Sequence, residues 1–217
     1  YPEDDVTQIY LVDKVGAAQS VIFMGHKSNK YDVDGEYFKS TIMNYPLGGG
    51  ASGRLFLNLR EDKGYTYGVY SFFNGDKESG LFAIFSSVKT EATDSAMVEI
   101  LTEIENYTTN GITDDELRST KSSMLNADAL KYESPMQKVK FLNEILEYDL
   151  DESYIQKQSD VLNSITKNEV DALAKKLIRK NNMAIVIVGN KYLIKKKLEN
   201  LTSKDGKKYN FKITEIK

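Results

Sequence analysis

The chain has no cysteine, no tryptophan, three prolines and a single histidine, His26, among its 217 residues. Without cysteine, disulfides and thiolate metal sites are excluded. The absence of cysteine does not indicate whether the protein lies in an oxidising or a reducing compartment. One histidine excludes a self-contained zinc site built on two histidines, and we interpret His26 as a structural or surface residue. No apolar run approaches the roughly 20 residues that a membrane-spanning helix needs, so we expect no membrane insertion.

Composition indicates an ordinary globular chain, with 41% hydrophobic and 28% charged residues and a net charge of −3. The charge is uneven, because residues 175–212 hold eleven Lys and one Arg against two acids. Such a stretch can bind nucleic acid, but no platform of stacking aromatics is interleaved with these lysines. We therefore interpret it as solvated helix faces and predict no nucleic-acid partner. We expect residues 1–217 to be a single domain of a longer chain, since the sequence begins with Tyr1 rather than Met.

The order of sequence patterns predicts an α+β fold, with an antiparallel or mixed β-sheet and helices packed on one face. Strands are predicted at 7–14 and 19–27, a hairpin at 65–74 and 81–88, and a buried strand at 183–188. A helix capped by Asp34 is predicted to run to Tyr45, a second to start near Ser52, and a last to span 191–201. The region between the hairpin and the last strand is mostly helical, with three capping boxes at Thr113/Glu116, Ser134/Gln137 and Thr166/Glu169. An apolar helical stripe is predicted there at Met97, Ile100, Leu101 and Ile104.

The glycine-rich run at 48–53, GGGASG, matches the dinucleotide-binding pattern G-x-G-x-x-G by letter. That pattern must follow a strand and open the helix of a βαβ unit, whereas here a helical pattern precedes it. A nucleotide-binding domain therefore rests on the glycines alone. We favour a tight turn between two helices, in which glycine permits close backbone approach and positive φ.

Arg60 and Tyr67 are the strongest candidates for chemistry. They flank Gly64, at the junction of a predicted helix and a tyrosine-rich strand, and both side chains donate hydrogen bonds. Such donors are needed where negative charge develops on an oxygen. The alternative is a surface arginine at a helix end and a core tyrosine.

The whole segment LGGGASGRLFLNLREDKGYTYGVYS resembles the hallmark of the zinc-free half of the pitrilysin, insulin-degrading enzyme and mitochondrial processing peptidase family. That hallmark has the form LGGG-x-x-S/G-R-L-x-x-x-L-R-E-x-x-G-x-x-Y. The resemblance extends to the order of elements over nearly the whole chain. The matching residues are Leu47, Gly48, Gly49, Gly50, Gly53, Arg54, Leu55, Leu59, Arg60, Glu61, Gly64 and Tyr67.

The resemblance implies a metalloprotease-like domain that is inactive alone and that works with a zinc-bearing half, in the same longer chain or in a separate subunit. The family's zinc lies in that other half, on an inverted His-x-x-Glu-His helix that this sequence lacks. This chain would itself hold no cofactor and no metal. By resemblance, Arg60 and Tyr67 reach across to the substrate and donate hydrogen bonds to its carbonyl oxygen or oxyanion.

The resemblance also implies a peptide substrate, which the exposed edge of the sheet could hold by strand addition. A bacterial periplasm or cell envelope is the location that it favours. The competing interpretation is a non-catalytic structural or peptide-binding subunit of the same fold, like the core proteins of a respiratory complex. Retention of both Arg60 and Tyr67 argues against that alternative.

Overall fold

One mixed six-stranded sheet organises the molecule. The computed structural model describes residues 6–130, 134–151 and 153–216, without the side chains of 128–130. The strands lie in the order β3-β4-β2-β5-β1-β6. The antiparallel part runs from β3 to β5, and β1 pairs in parallel with both β5 and β6. The strands are β1 (Gln8–Asp13), β2 (Gln19–Ser28), β3 (Thr66–Gly75), β4 (Gly80–Lys89), β5 (Ala184–Gly189) and β6 (Lys212–Ile216).

Eight α-helices are present in the described parts of the chain, and the shortest continues into a π-helical turn at Leu57–Asp62. The capping boxes at Ser134 and Thr166 form as predicted, and each starts a helix. The helices are α1 (Glu36–Gly48), α2 (Arg54–Phe56), α3 (Thr93–Asn110), α4 (Asp114–Leu130), α5 (Pro135–Tyr148), α6 (Tyr154–Ser164), α7 (Lys167–Leu177) and α8 (Lys191–Glu199).

The core lies between one face of the sheet and the helices, as the α+β prediction requires. Alternate strand residues are fully buried on that face, because successive side chains of a strand point to opposite faces. The face carries Ile9, Leu11, Ile22, Met24, Phe82, Ile84, Ile185 and Ile187. Helix α3 contributes its predicted apolar stripe of Met97, Ile100, Leu101 and Ile104, all buried. On the other face Tyr70, Phe72 and Phe85 remain partly exposed.

Three local predictions were wrong or incomplete. Helix α1 begins after Gly35, and its first amides bond to the Asp32 carboxylate rather than to Asp34. The run at 183–188 is only half buried, because its alternate residues face the open side of the sheet. Strand β6, which pairs with β1 from Gln8↔Lys212 onward, was not predicted.

Candidate functional site

The glycine-rich run is a packing device between α1, α2 and β3. A Cβ built on Gly48 would lie 2.6 Å from Ser71 Oγ and 2.9 Å from Leu55 Cδ1, closer than real Cβ atoms approach. One on Gly53 would lie 2.9 Å from Gly48 Cα. Close approach is thus confirmed as the reason for these glycines, but positive φ is not, since the positive-φ glycines of the described chain are Gly16, Gly64, Gly111 and Gly206. A helix precedes the run, so the context of a dinucleotide site is absent.

Arg54, the first arginine of the motif, is a structural anchor. Its Nε and Nη2 donate to the two carboxylate oxygens of Glu116 at 2.6 and 2.7 Å, and Nη2 also donates to the Gly111 carbonyl at 2.9 Å. The guanidinium lies 5.1 Å from the centre of the Tyr107 ring. Glu116 also accepts from the Thr113 amide, which completes the predicted capping box of α4. The pair therefore fastens α2 to the start of α4.

Arg60, the second arginine, lies in the π-helical turn and points to the surface. Its side chain is 46% exposed, and Nε lies 3.4 Å from Glu61 Oε1. The guanidinium stacks 4.9 Å from the Phe56 ring centre, and that ring packs against Tyr70 on the open face of β3. This stacking restricts the side chain while leaving guanidinium donors available to a ligand.

Gly64 ends the helical segment in the left-handed conformation at φ +63°, as a C-terminal glycine commonly does. Its amide donates to the Arg60 carbonyl at 3.2 Å, so the turn starts directly at the candidate donor. This confirms the predicted helix stop. The chain reverses here and enters the edge strand β3.

Tyr67 lies on an irregularity of β3, where the pairing with β4 shifts between Thr66 and Val69. A hydroxyl network fixes this bulge. The Gly68 amide donates to Thr66 Oγ1 at 3.0 Å, and Ser86 Oγ donates to the Gly68 carbonyl at 3.0 Å. Tyr67 is 83% exposed and is therefore not the core tyrosine of the alternative interpretation. Bulges commonly re-aim a side chain beside active sites, and this one turns a phenol outward.

Comparisons with known proteins identify the family of the chain. A sequence profile described as "Peptidase M16 inactive domain" matches residues 2–124. The chain belongs to the peptidase M16 inactive-domain family.

Two curated bacterial relatives and one solved structure illustrate the likeness. An "Uncharacterized zinc protease YmxG" of Bacillus subtilis is 31% identical over 141 residues, covering 63% of this chain and 33% of that protein. A "Non-peptidase homolog YmxG" of Helicobacter pylori is 21% identical, covering 80% of this chain and 40% of that protein. A crystal structure of a peptidase M16 inactive domain from Pseudomonas fluorescens superposes with a TM-score of 0.76 and 26% identity, over 85% of this chain and 44% of that one. The chain thus spans less than half the length of these proteins.

The M16 inactive domain has no group of three or more His, Cys, Asp or Glu side chains placed to hold a metal, within the residues described. His26 is buried, and its Nε2 accepts from the Arg179 amide at 3.0 Å. Its Nδ1 then carries the proton and lies 2.9 Å from the Lys27 carbonyl. His26 is therefore a structural histidine. The described residues therefore do not fit a zinc ion.

Many lysines of the basic stretch pair with acids from elsewhere in the M16 domain. Lys180 contacts Glu105 at 2.6 Å and Lys204 contacts Glu99 at 2.7 Å. Further pairs are Lys176–Glu36, Lys191–Glu215, Lys195–Glu215 and Lys197–Asp94. The uneven charge of the sequence is thus partly neutralised by folding.

No helix of the described structure is long and apolar enough to cross a membrane.

The contacts around Arg60 and Tyr67 were not predicted from the sequence. Asn58, Thr66 and Ser86 form hydrogen bonds with residues 41, 21 and 18 positions away along the chain, which only folding brings near. The small polar residues of β3 and β4 were the one available signal, because hydroxyls in an otherwise aromatic hairpin need partners.

Proposed function

We propose that residues 1–217 form a single domain, the zinc-free half of a zinc metalloendopeptidase, inactive alone. In this proposal a partner half, in the same longer chain or in a separate subunit, holds the metal and carries out the cleavage chemistry. The domain described here binds the peptide and donates hydrogen bonds from Arg60 and Tyr67 to the carbonyl oxygen at the scissile bond. M16 inactive domains typically pair with a zinc-bearing half, which supports this arrangement.

The observation that carries the proposal is the exposure of two hydrogen-bond donors on a rigid support. Tyr67 is 83% exposed, and its hydroxyl makes no hydrogen bond within the described residues. Among the described residues, Arg60 contacts Glu61 in an ion pair and stacks on Phe56, which leaves guanidinium donors available. The π-helical turn fixes the backbone of Arg60 and the bulge fixes that of Tyr67. Both side chains still have donor groups that can bind a ligand. Preorganised donors of this kind stabilise a developing oxyanion, because they need not reorganise when charge appears.

Strand β3 offers the complementary surface for a peptide backbone. It is the edge strand of the sheet, with β4 as its described neighbour, and one row of its backbone groups faces outward. An extended peptide can add to such an edge through main-chain hydrogen bonds, which accounts for affinity without a sequence requirement. Tyr67 lies on this strand, so a peptide paired with β3 would run past the phenol.

The test is peptide hydrolysis by the complete protein with Arg60→Ala and Tyr67→Phe. We expect each change to lower kcat by about 10²-fold or more, the usual effect of losing one oxyanion donor, with bound zinc unchanged. Arg118→Ala and Tyr192→Phe are matched controls, since Arg118 is 75% exposed and Tyr192 77% exposed, away from this turn. Wild-type kcat in both site variants would refute the assignment.

A second function is favoured by one relative, the "Non-peptidase homolog YmxG" of Helicobacter pylori. The domain would then be a structural or peptide-binding subunit. The complete protein would bind peptides but show no hydrolysis above a zinc-free blank, and Arg60→Ala would change only the dissociation constant.

Location is part of the proposal too: the family resemblance favours a bacterial periplasm or cell envelope, which fractionation of a native host checks.

A further inference from the structure

A polar cluster beneath the π-helical turn joins three separate segments of the chain. The Asn58 side-chain amide donates to Glu99 Oε2 at 2.9 Å and to Glu103 Oε1 at 2.7 Å. Glu99 and Glu103 lie one turn apart on α3, so their negative charges repel unless donors separate them. Lys204, from the segment after α8, donates to Glu99 at 2.7 Å.

Glu99 is the member of the cluster that is shielded from water, which strengthens its contacts. It is only 7% exposed. Burial alone would raise the pKa of Glu99, but hydrogen bonds from Lys204 and Asn58 outweigh it and hold that pKa below its ordinary value. Asn58 therefore donates to an ionised carboxylate at Glu99, and such a charge-assisted bond is stronger than a neutral one.

Asn58 is also part of the backbone that forms the turn. Its carbonyl accepts from the Lys63 amide at 2.9 Å, and the neighbouring bonds run from Gly64 to Arg60 at 3.2 Å and from Tyr65 to Leu59 at 2.9 Å. A π-helical turn is rare, is poorly favoured by local geometry and is frequent at functional sites. The Asn58 side chain therefore links the turn that carries Arg60 to α3.

We infer that Asn58 is a positioning residue for Arg60: by donating to Glu99 and Glu103 it holds the π-helical turn in the shape that aims the guanidinium at the peptide. The inference rests on the proposed function for the role of Arg60. The polarity of the contact is essential, because only a donor can sit between two ionised carboxylates. Asn58→Asp keeps the shape of the side chain but places a third carboxylate against the other two.

Two measurements on the complete protein test this. The first is hydrogen exchange at the Lys63, Gly64 and Tyr65 amides, which close the turn. We expect Asn58→Asp to speed exchange at these amides by about tenfold or more, as a loosened turn opens locally. Asn126→Asp, the same change at an exposed position of α4, should leave them unchanged.

The second measurement is the effect of Asn58→Asp on kcat and KM with and without Arg60. We expect kcat to fall by about tenfold when Arg60 is present, since small misplacements of a reacting group carry penalties of this size. In the Arg60→Ala background the same change should alter kcat less than about twofold, because a residue that acts only through Arg60 has nothing left to position. Asn58→Asp with Glu103→Gln reverses donor and acceptor in the contact to residue 103 while Glu99 stays a carboxylate, and should recover part of the lost kcat.

The outcomes are separable. Unchanged exchange in Asn58→Asp, or an equal loss of kcat in both backgrounds, overturns the inference and leaves the role of Arg60 intact. Unchanged kcat in both Arg60→Ala and Tyr67→Phe refutes the proposed function itself. Glu103→Ala removes one of the two acceptors and allows the same comparison of exchange and kcat, with smaller expected effects. The test therefore still applies if the Asn58→Asp variant does not fold.

Discussion

Arg54 and Arg60 belong to one motif, yet the fold gives them opposite tasks. Arg54 donates its hydrogen bonds within the domain, to the Glu116 carboxylate and the Gly111 carbonyl. Arg60 is 46% exposed and has an ion pair with its neighbour Glu61. Sequence patterns cannot separate these roles, because Glu116 lies 62 residues from Arg54 along the chain. The motif is thus part scaffold and part candidate site.

Replacing Arg54 by Lys should destabilise the domain by about 2 kcal/mol, because Lys cannot make the bidentate pair and leaves Glu116 half satisfied. Urea unfolding at pH 7 measures this change. Arg118→Lys is the control, since its pair with Asp115 is exposed and should contribute less than about 0.5 kcal/mol. Equal effects in the two variants would contradict the anchoring role of Arg54.

Gly48→Ala should lower the free energy of unfolding by about 1–3 kcal/mol, because the added methyl group overpacks against the β3 backbone at Ser71. Gly50→Ala is a control within the same glycine run. Its Cβ would meet the Tyr45 side chain, with Oη at 3.7 Å and Cζ at 3.9 Å, which is ordinary contact. Thermal melts of the two variants should therefore differ clearly, and similar melts would disprove the packing argument.

At the scale of elements, local patterns predicted the hairpin and the apolar stripe of α3 well. Their signals, turn residues and helical periodicity, are contained within each segment. The exposed strand β6 was missed because five residues at a sheet edge carry little apolar signal. The π-helical turn was also missed, since its Asn58 contacts come from α3, 41 and 45 residues away.

The joint between the π-helical turn and β3 depends on the conformation of Gly64. No heavy atom lies within 4 Å of a Cβ built there, so the penalty of a side chain is purely conformational. We expect Gly64→Ala to lose about 1 kcal/mol of stability, and Gly64→Asn less, because asparagine tolerates positive φ. Denaturation midpoints provide the comparison. Alanine and asparagine variants of equal stability would show that the turn relaxes to another backbone shape.

At the scale of the whole molecule, ion pairs link segments that are far apart in sequence. Burial alone would raise the pKa of Glu116, but the bonds from Arg54 and the Thr113 amide hold it below its ordinary value. A bond from Lys180, opposed in part by burial, likewise holds the pKa of Glu105 low. Such carboxylates stabilise the fold above their unfolded pKa, and this stabilisation is lost as pH falls through the lower folded pKa.

The domain should therefore lose stability steeply as pH drops below about 4.5, where unfolded glutamates begin to take up protons. Glu116→Gln should start from lower stability at pH 7 and fall less between pH 5 and pH 3, because one linked proton is gone. Melting temperatures across this range give both slopes. Parallel curves for the variant and the wild type would show that Glu116 does not contribute to the loss of stability at low pH.

The position of β1 constrains how the chain can be made. This strand lies between β5 and β6, and Thr7 just before it contacts Met183, 176 residues later. During synthesis β1 emerges before both of its neighbours and must wait for them, while the β3–β4 hairpin can form at once. A nascent chain therefore carries an unpaired apolar strand until β5 and β6 have been made.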